Sequence, residues 1–347
     1  MSKPKIHTMK ELSKAISISR PTLARYFEDE GSVLPSTAKK IKQGLTEVDY
    51  VYNFLATRQN RKSTGIIGIV IPHFKDLFFA SLLDSIEVAA RAAGFTIITQ
   101  SSHGDTTSED LAIRKLRSMN VDGAIVAPLG TDGSYDVFQA ADKDFPIVFA
   151  DSYPGSQMPN ADFVGTDNAK SVGVMVDYLC RSGPPPVFLA MPKLNSNALE
   201  RQNAYHARMR ENGHVGTLIE TPDNTESWQF EHYGFEVMHN HFSHGRHIDS
   251  TIFCANDRIA IGVIRAANMH GLFFATDGRT RGALRVAGHD DHPLSRYIFP
   301  SLTTVAQKVD AIGRDTVELL ASRVRDGRDG DGVKLLRDGA LQVRESA

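Results

Sequence analysis

The chain has 347 residues, 41% of them hydrophobic, and a formal net charge of −2, enough for a small domain joined to a larger two-lobed one. No apolar run approaches the roughly 18 residues of a membrane span, and the Met1-Ser-Lys-Pro-Lys start lacks a signal-peptide core, so a cytoplasmic protein without membrane association is expected. The near-neutral total hides an asymmetry: residues 1–62 hold 12 Lys/Arg and 6 Asp/Glu, the remainder 27 and 35. A basic head on an acidic body points to nucleic acid, because phosphate neutralisation dominates that affinity.

The first predicted elements are two short helices around a tight turn within Thr8–Phe27. Thr8 and Glu11 have the spacing of a capping box, in which each side chain satisfies a backbone donor. Ser19 is placed to cap the second helix, with Pro21 tolerated in its first turn. Leu12, Ala15, Ile18, Leu23 and Phe27 are expected to fill the angle between the helices, leaving Arg20, Thr22 and Arg25 outward. That pattern is a helix-turn-helix, whose second helix enters the major groove. Lys39, Lys40 and Lys42, on a third helix, would at most touch phosphates.

From Gly65 onward, apolar runs alternate with amphipathic stretches. Ile66–Ile71 reads as a strand buried on both faces, followed by a helix around Phe79–Ala93, then Phe95–Gln100 (strand), Glu109–Met119 (helix), Gly123–Ala127 (strand), Val137–Ala141 (helix) and Ile147–Ala150 (strand). Helices at Ala169–Cys180 and Leu199–Glu211 flank a strand at Val187–Ala190. Val215–Ile219, Phe230–His239, Thr251–Cys254, Ile259–His270 and Leu284–Ala287 continue the alternation. Strands separated by helices imply parallel sheets, and such doubly wound sheets bind ligands beyond the carboxyl ends of their strands.

The remaining chemistry-bearing residues exclude more than they suggest. Cys180 and Cys254, the only cysteines, are expected to be reduced core residues without zinc-type spacing. His289-Asp-Asp-His292 has ligand types, but neighbouring strand-end residues point in alternate directions. The run His232, His239, His241, His244 and His247 is read as a solvated helix end in preference to a metal site. No nucleophile elbow, P-loop or paired catalytic carboxylates occur, so neither enzymatic activity nor a metal or cofactor is expected.

Several stretches then carry a resemblance. Tyr50-Val-Tyr-Asn53-Phe-Leu-Ala56, Leu77-Phe78-Phe79, Asn256-Asp257-Arg-Ile-Ala260-Ile-Gly262, Val286-Ala-Gly288-His-Asp290-Asp291, Pro300-Ser-Leu302-Thr303-Thr304-Val-Ala-Gln307 and Val343-Arg344-Glu345-Ser346 follow one another as in the LacI/GalR family of bacterial transcriptional regulators, which the whole chain resembles. The resemblance implies an α/β chain: an N-terminal helix-turn-helix headpiece (residues 1–50), a hinge helix and linker (51–63), and a two-lobed periplasmic-binding-protein-like core (64–347). The subdomains would be about 64–165 and 166–292, with 293–347 crossing between them. The implied function is a dimeric repressor whose affinity for double-stranded operator DNA is set by a small effector, a sugar, polyol or sugar phosphate. Two other readings stay open: control mainly by a protein partner, or a sugar-binding protein that does not bind DNA.

By this resemblance Arg20, Pro21, Thr22, Arg25, Asn53, Leu55, Arg58 and Gln59 face DNA. The chain departs from the family at the hinge. Tyr52 stands where a proline is usual, and Gln59 aligns with the leucine wedged into the minor groove, leaving Phe54 and Leu55 to supply an apolar wedge. Arg58, Arg61 and Lys62 suit phosphate contacts, and Ser17 takes the turn position where glycine is common. The effector would meet Asp76, Phe78, Phe79, Asp151, Arg201, Trp228, Asn256 and Asp290: aromatic rings to stack on a sugar face, carboxylates to accept from hydroxyls, and an arginine fork to donate. His73 and Lys75 lie near enough in sequence to leave a phosphorylated or acidic sugar open. On this reading Arg201→Ala abolishes the effector response and leaves effector-free operator affinity nearly intact.

Overall fold

The computed structural model describes residues 3–53, 63–130, 135–156, 158–222, 228–273, 283–327 and 330–347. These form two compact units, Met1–Thr64 and Gly65–Ala347.

In the first unit, α1 (Met9–Ala15), α2 (Arg20–Glu28) and α3 (Pro35–Glu47) surround a core of Leu12, Leu23, Ile41 and Val48. Thr8 and Glu11 make both halves of the capping box, and Ser19 accepts from the Thr22 amide at the start of α2. Ser17, between the helices, has φ +54°, the left-handed region that favours glycine. The expected core needs one correction: Ala15 is exposed, and Ile16 packs instead. Met9, Leu12 and Ile16 lie at i−3, i and i+4 on one stripe, and Ala15 falls at its margin. Two short strands, β1 (Lys5–Ile6) and β2 (Asp49–Tyr50), pair in parallel and tie the ends of the unit together. Tyr52, in place of the usual proline, stacks on Phe27 with ring centroids 4.5 Å apart, so this substitution adds an apolar contact to the headpiece.

The second unit has two lobes. In the first, β3 (Ile66–Ile71), β4 (Thr96–Ser101), β5 (Gly123–Val126), β6 (Ile147–Ala150), β7 (Asp162–Thr166) and β12 (Lys334–Arg337) form one parallel sheet in the order β12-β7-β6-β5-β3-β4. Helices α4 (Leu77–Ala92), α5 (Thr106–Ser118), α6 (Tyr135–Ala141) and α11 (Val309–Asp326) cover it. Every residue of β3 is buried, as a strand covered on both faces requires. In the second lobe, β8 (Val187–Leu189), β9 (Thr251–Cys254) and β10 (Arg285–Ala287) form a parallel sheet in the order β10-β9-β8, flanked by α7 (Asn168–Ser182), α8 (Ser196–Glu211), α9 (Phe230–Ser243) and α10 (Asp257–Met269). Val215–Ile219 is not a strand: only Leu218 bridges, to Phe188. The antiparallel pair β11 (Thr304–Ala306) and β13 (Ala340–Gln342) carries the chain between the lobes. Its tail ends in the second lobe, where the Ser346 hydroxyl donates to the Val286 carbonyl.

Both cysteines are free, Cys254 buried and Cys180 partly so. In the histidine run, His241 Nε2 lies 2.8 Å from the Glu220 carbonyl and His239 faces His270 at 3.1 Å. Among the described residues no group of three or more His, Cys, Asp or Glu side chains is arranged to hold a metal.

Glu109, in the first turn of α5, is wholly buried. Its Oε1 accepts from the Leu129 amide at 3.0 Å, its Oε2 has no partner among the described residues, and burial pushes the carboxyl up to about 8. The folded chain therefore keeps a proton that the unfolded chain releases near 4.5. Stability should fall as pH rises from that value and level off above about 8, because the unfolded state binds fewer protons throughout the window. Glu109→Gln keeps an acceptor for Leu129 and removes the titration. Thermal scans should show the variant more stable than the parent at alkaline pH, with the gap closing in mild acid; a gap independent of pH would contradict the assignment.

Candidate functional site

The loops after the first lobe's strands face the second lobe, as the doubly wound rule expects. Asp76 follows β3 and caps α4, accepting from the Phe78 amide at 3.0 Å. Asp151 follows β6 in a left-handed conformation, φ +66°. From the second lobe come Asn197 and Arg201, one turn apart on α8 and therefore on one face, Asn256 at the start of α10, Trp228 and Phe230 at the start of α9, and Asp290 beyond β10. All eight residues expected to meet an effector line one cavity between the lobes, together with Met191, Asn195, Asn197, Phe230, Arg258, His292 and Gln307.

Arg201 organises the floor. Although only 3% exposed, it donates from Nε to Asn168 at 3.0 Å and from Nη1 to the Ala255 carbonyl at 2.8 Å, with Nη1 also 3.0 Å from Asp290. Nη2 makes no hydrogen bond among the described residues. Asp290 Oδ1 also receives Gln307 Nε2 at 2.7 Å and faces His289 Nδ1 at 2.9 Å. Burial alone would raise the Asp290 carboxyl, but Arg201, His289 and Gln307 outweigh it and hold the group below the ordinary carboxylate range. Burial drives His289 the other way, down to about 4, with Arg201 reinforcing it, so this imidazole is neutral.

Asp151 is the least satisfied carboxylate of the site. Asn197 donates to its Oδ2 at 3.2 Å, and burial pushes the carboxyl up to about 7, opposed by Arg201 and reinforced by Asp290 and Asp76. A buried acceptor with so little protein hydrogen bonding is suited to a ligand hydroxyl. Asn256 caps α10 through Oδ1, donating Nδ2 only to Met191 sulfur at 3.7 Å, a weak contact that leaves the amide facing the cavity.

Phe79 is buried in the first lobe's core, and Trp228 packs on both lobes' cores. The Trp228 ring meets His73 at 5.5 Å and Phe79 at 6.3 Å between centroids. Gly104 makes that seat possible: a Cβ there would stand 2.3 Å from the indole. The cavity measures about 40 Å³, close to one water's share of liquid volume, about 30 Å³. A sugar enters only if the lobes separate.

Sequence reasoning missed Asn195, Asn197, Arg258, His292 and Gln307. Three lie inside or beside quoted motifs: Arg258 follows Asn256-Asp257, His292 follows Asp290-Asp291, and Gln307 ends the Pro300–Gln307 stretch. Asn197 had the signal of helical spacing from Arg201. In the headpiece, Arg20, Pro21, Arg25 and Asn53 are exposed and Thr22 is half-buried beside its cap. Leu55, Arg58 and Gln59 lie outside the described residues, as do Phe54, Arg61 and Lys62.

Residues 64–336 match the family of periplasmic binding proteins and the sugar-binding domain of the LacI family. The chain belongs to this family. The HTH-type transcriptional regulator PtxS of Pseudomonas putida is 26% identical over 98% of this chain and 95% of its own. The HTH-type transcriptional repressor PurR of Vibrio campbellii is 25% identical over 92% of each chain. The fold matches the lac repressor dimer bound to operator and the anti-inducer ONPF, with TM-score 0.81, 22% identity and 99% of both chains covered. The LacI-family element Asn256–Gly262 now has a physical reading: Asn256 caps α10, and Gly262 lets α10 lie against the backbone of α9, where a Cβ would stand 2.1 Å from the Glu231 carbonyl.

Proposed function

We propose that the chain is a transcriptional repressor of the LacI family that binds double-stranded operator DNA as a homodimer through residues 1–50, in the cytoplasm, under the control of a sugar or sugar derivative held between the core lobes at about residues 64–165 and 166–292. The observation that carries this reading is the convergence of Asp151, Arg201, Asn256 and Asp290 with the rings of Phe78, Phe79 and Trp228 at one interlobe cavity. Acceptors, donors and flat apolar surface in one cleft are what a polyhydroxylated ring requires. The basic headpiece supplies the phosphate-directed charge, and no described helix is long and apolar enough to cross a membrane. Among structural relatives, one is a cellobiose complex and another, from Alkaliphilus metalliredigens, is complexed with D-xylulofuranose.

The mechanism follows from closure. An effector that bridges the lobes changes their separation and so shifts the equilibrium between operator-competent and incompetent dimers, which needs about 10⁴-fold preference for one state. The test pairs a binding-site selection with gel-shift titrations against a sugar panel. A selected operator whose affinity changes with one sugar supports the reading; no sequence preference in the selection sinks it. Within the same experiment, Arg25→Ala should relax preference at one position per half-site by about 1–3 kcal/mol, the worth of a bidentate base contact. Unchanged preference would remove α2 from the groove.

A further inference from the structure

Arg258 was not among the residues expected at the site, yet it holds the lobes together at one edge of the cleft. Its Nη1 donates to Asp76 of the first lobe at 2.9 Å. Within its own lobe, Nε and Nη2 each donate to Glu231 at 2.7 Å, Nη2 also reaches the Trp228 carbonyl at 3.1 Å, and the guanidinium lies 5.2 Å from the centre of the Phe230 ring. All three nitrogens are engaged, and four of the five N–H donors of the fork are committed, two of them to Glu231.

Side-chain exposure along this triad rises from 5% at Asp76 through 17% at Arg258 to 42% at Glu231. The three groups thus run from the cavity wall to solvent and form its edge. Other hydrogen bonds among the described residues also join the lobes. Asp151 meets Asn197, the Tyr153 amide donates to the Ser196 hydroxyl, and the Gly130 amide donates to the Leu194 carbonyl, the last being a main-chain bond. On the crossover side, Gln307 joins Thr166 to Asp290.

We propose that Arg258 is the size gate of this cleft, limiting the effector to an uncharged single-ring sugar or polyol; the proposal rests on the sugar reading above. Admitting one ring requires the lobes to part by about a ring's thickness, roughly 3.5–4 Å, which lengthens the Asp76 contact. The guanidinium stays at the edge, because Glu231 and Phe230 anchor it to its own lobe. Their position is fixed by the main-chain contact of α9 with α10 at Gly262. A second ring leaves the cleft through this edge only by displacing the fork from a bidentate, half-buried carboxylate. Such pairs combine charge with a fixed geometry and resist displacement. An anionic substituent fares no better, since it would face Asp76, Asp151 and Asp290 in a lining whose two arginines, Arg201 and Arg258, are already paired with Asp290 and Asp76.

Calorimetric titration of the full chain tests this, with D-glucose, D-galactose, D-xylose and D-ribose set against cellobiose, lactose and maltose, and with D-glucose 6-phosphate as the anionic probe. The parent should bind at least one monosaccharide and no disaccharide or phosphate. Arg258→Ala should gain roughly tenfold or more in disaccharide affinity, about 1.4 kcal/mol. Should that variant fail to fold, Glu231→Gln, which unlocks the fork and leaves Asp76 paired, should shift the ratio of disaccharide to monosaccharide affinity in the same direction. Disaccharide or phosphate binding by the parent as tight as that of the simple ring overturns the gate and leaves the sugar reading standing. An unchanged ratio in the folded variants overturns it as well. A parent that binds none of the sugars overturns the sugar reading and the gate with it.

Discussion

Arg201→Ala is expected to destabilise the core by about 3–5 kcal/mol, the cost of removing one partner from a buried ion pair. This differs from the clean loss of effector response expected from the sequence, where the arginine was read first as a ligand contact. The guanidinium is 3% exposed and joins Asn168, the Ala255 carbonyl and Asp290. Its removal leaves Asp290 buried with its charge uncompensated and takes away the one cation that opposes burial at Asp151. At roughly 2–4 °C per kcal/mol, the melting temperature should drop by about 10 °C. Lysine should restore little, because a single ammonium cannot serve three directions at once.

The pH dependence gives this prediction its sign. In the parent, Asp290 is held below the ordinary carboxylate range, so its stabilisation is present above the unfolded value and is lost as pH falls through the folded one. Without Arg201, burial raises Asp290 as it already raises Asp151. The deficit of Arg201→Ala should therefore be largest at neutral to alkaline pH and shrink toward mild acid. Thermal scans across that range decide the matter, and a deficit that does not vary with pH would show the arginine acting through packing.

How much of this was legible in the sequence depends on the kind of interaction involved. The capping box, Ser19 and the buried run Ile66–Ile71 are local, so a few neighbouring residues determine them. The convergence of Asp151, Arg201 and Asn256 was reachable because a single rule, that ligands sit beyond the carboxyl ends of parallel strands, places residues far apart in sequence on one surface. What could not be read was which of those groups satisfy each other. Asp76 and Arg258 lie on different lobes and 182 positions apart, and no periodicity links them. Asp76 was therefore expected to accept from a ligand, whereas it caps α4 and accepts from Arg258. Val215–Ile219 misled for a related reason: a short apolar run satisfies a strand's composition without a ladder partner, and only Leu218 found one.

The headpiece should fail separately from the core. Leu23→Ala empties the centre of a unit whose buried core consists of Leu12, Leu23, Ile41 and Val48, at a cost of about 2–5 kcal/mol for a buried leucine. A core of this size supplies stability of about 3–5 kcal/mol, so the substitution removes most or all of it. Operator binding must then refold the headpiece, and each 1.4 kcal/mol of that cost lowers affinity about tenfold. Only the cost in excess of the headpiece's own stability, up to about 2 kcal/mol, counts against binding, so a loss of up to roughly 30-fold is expected for each headpiece that engages. Gly65–Ala347 is a compact unit in its own right, so its melting transition and its stabilisation by a bound sugar should persist unchanged. Gel-shift titration read beside calorimetric melting of the same full-length variant separates the two effects. A core transition lowered as far as operator affinity would show that the two units fold as one, and would overturn the division of labour between head and body.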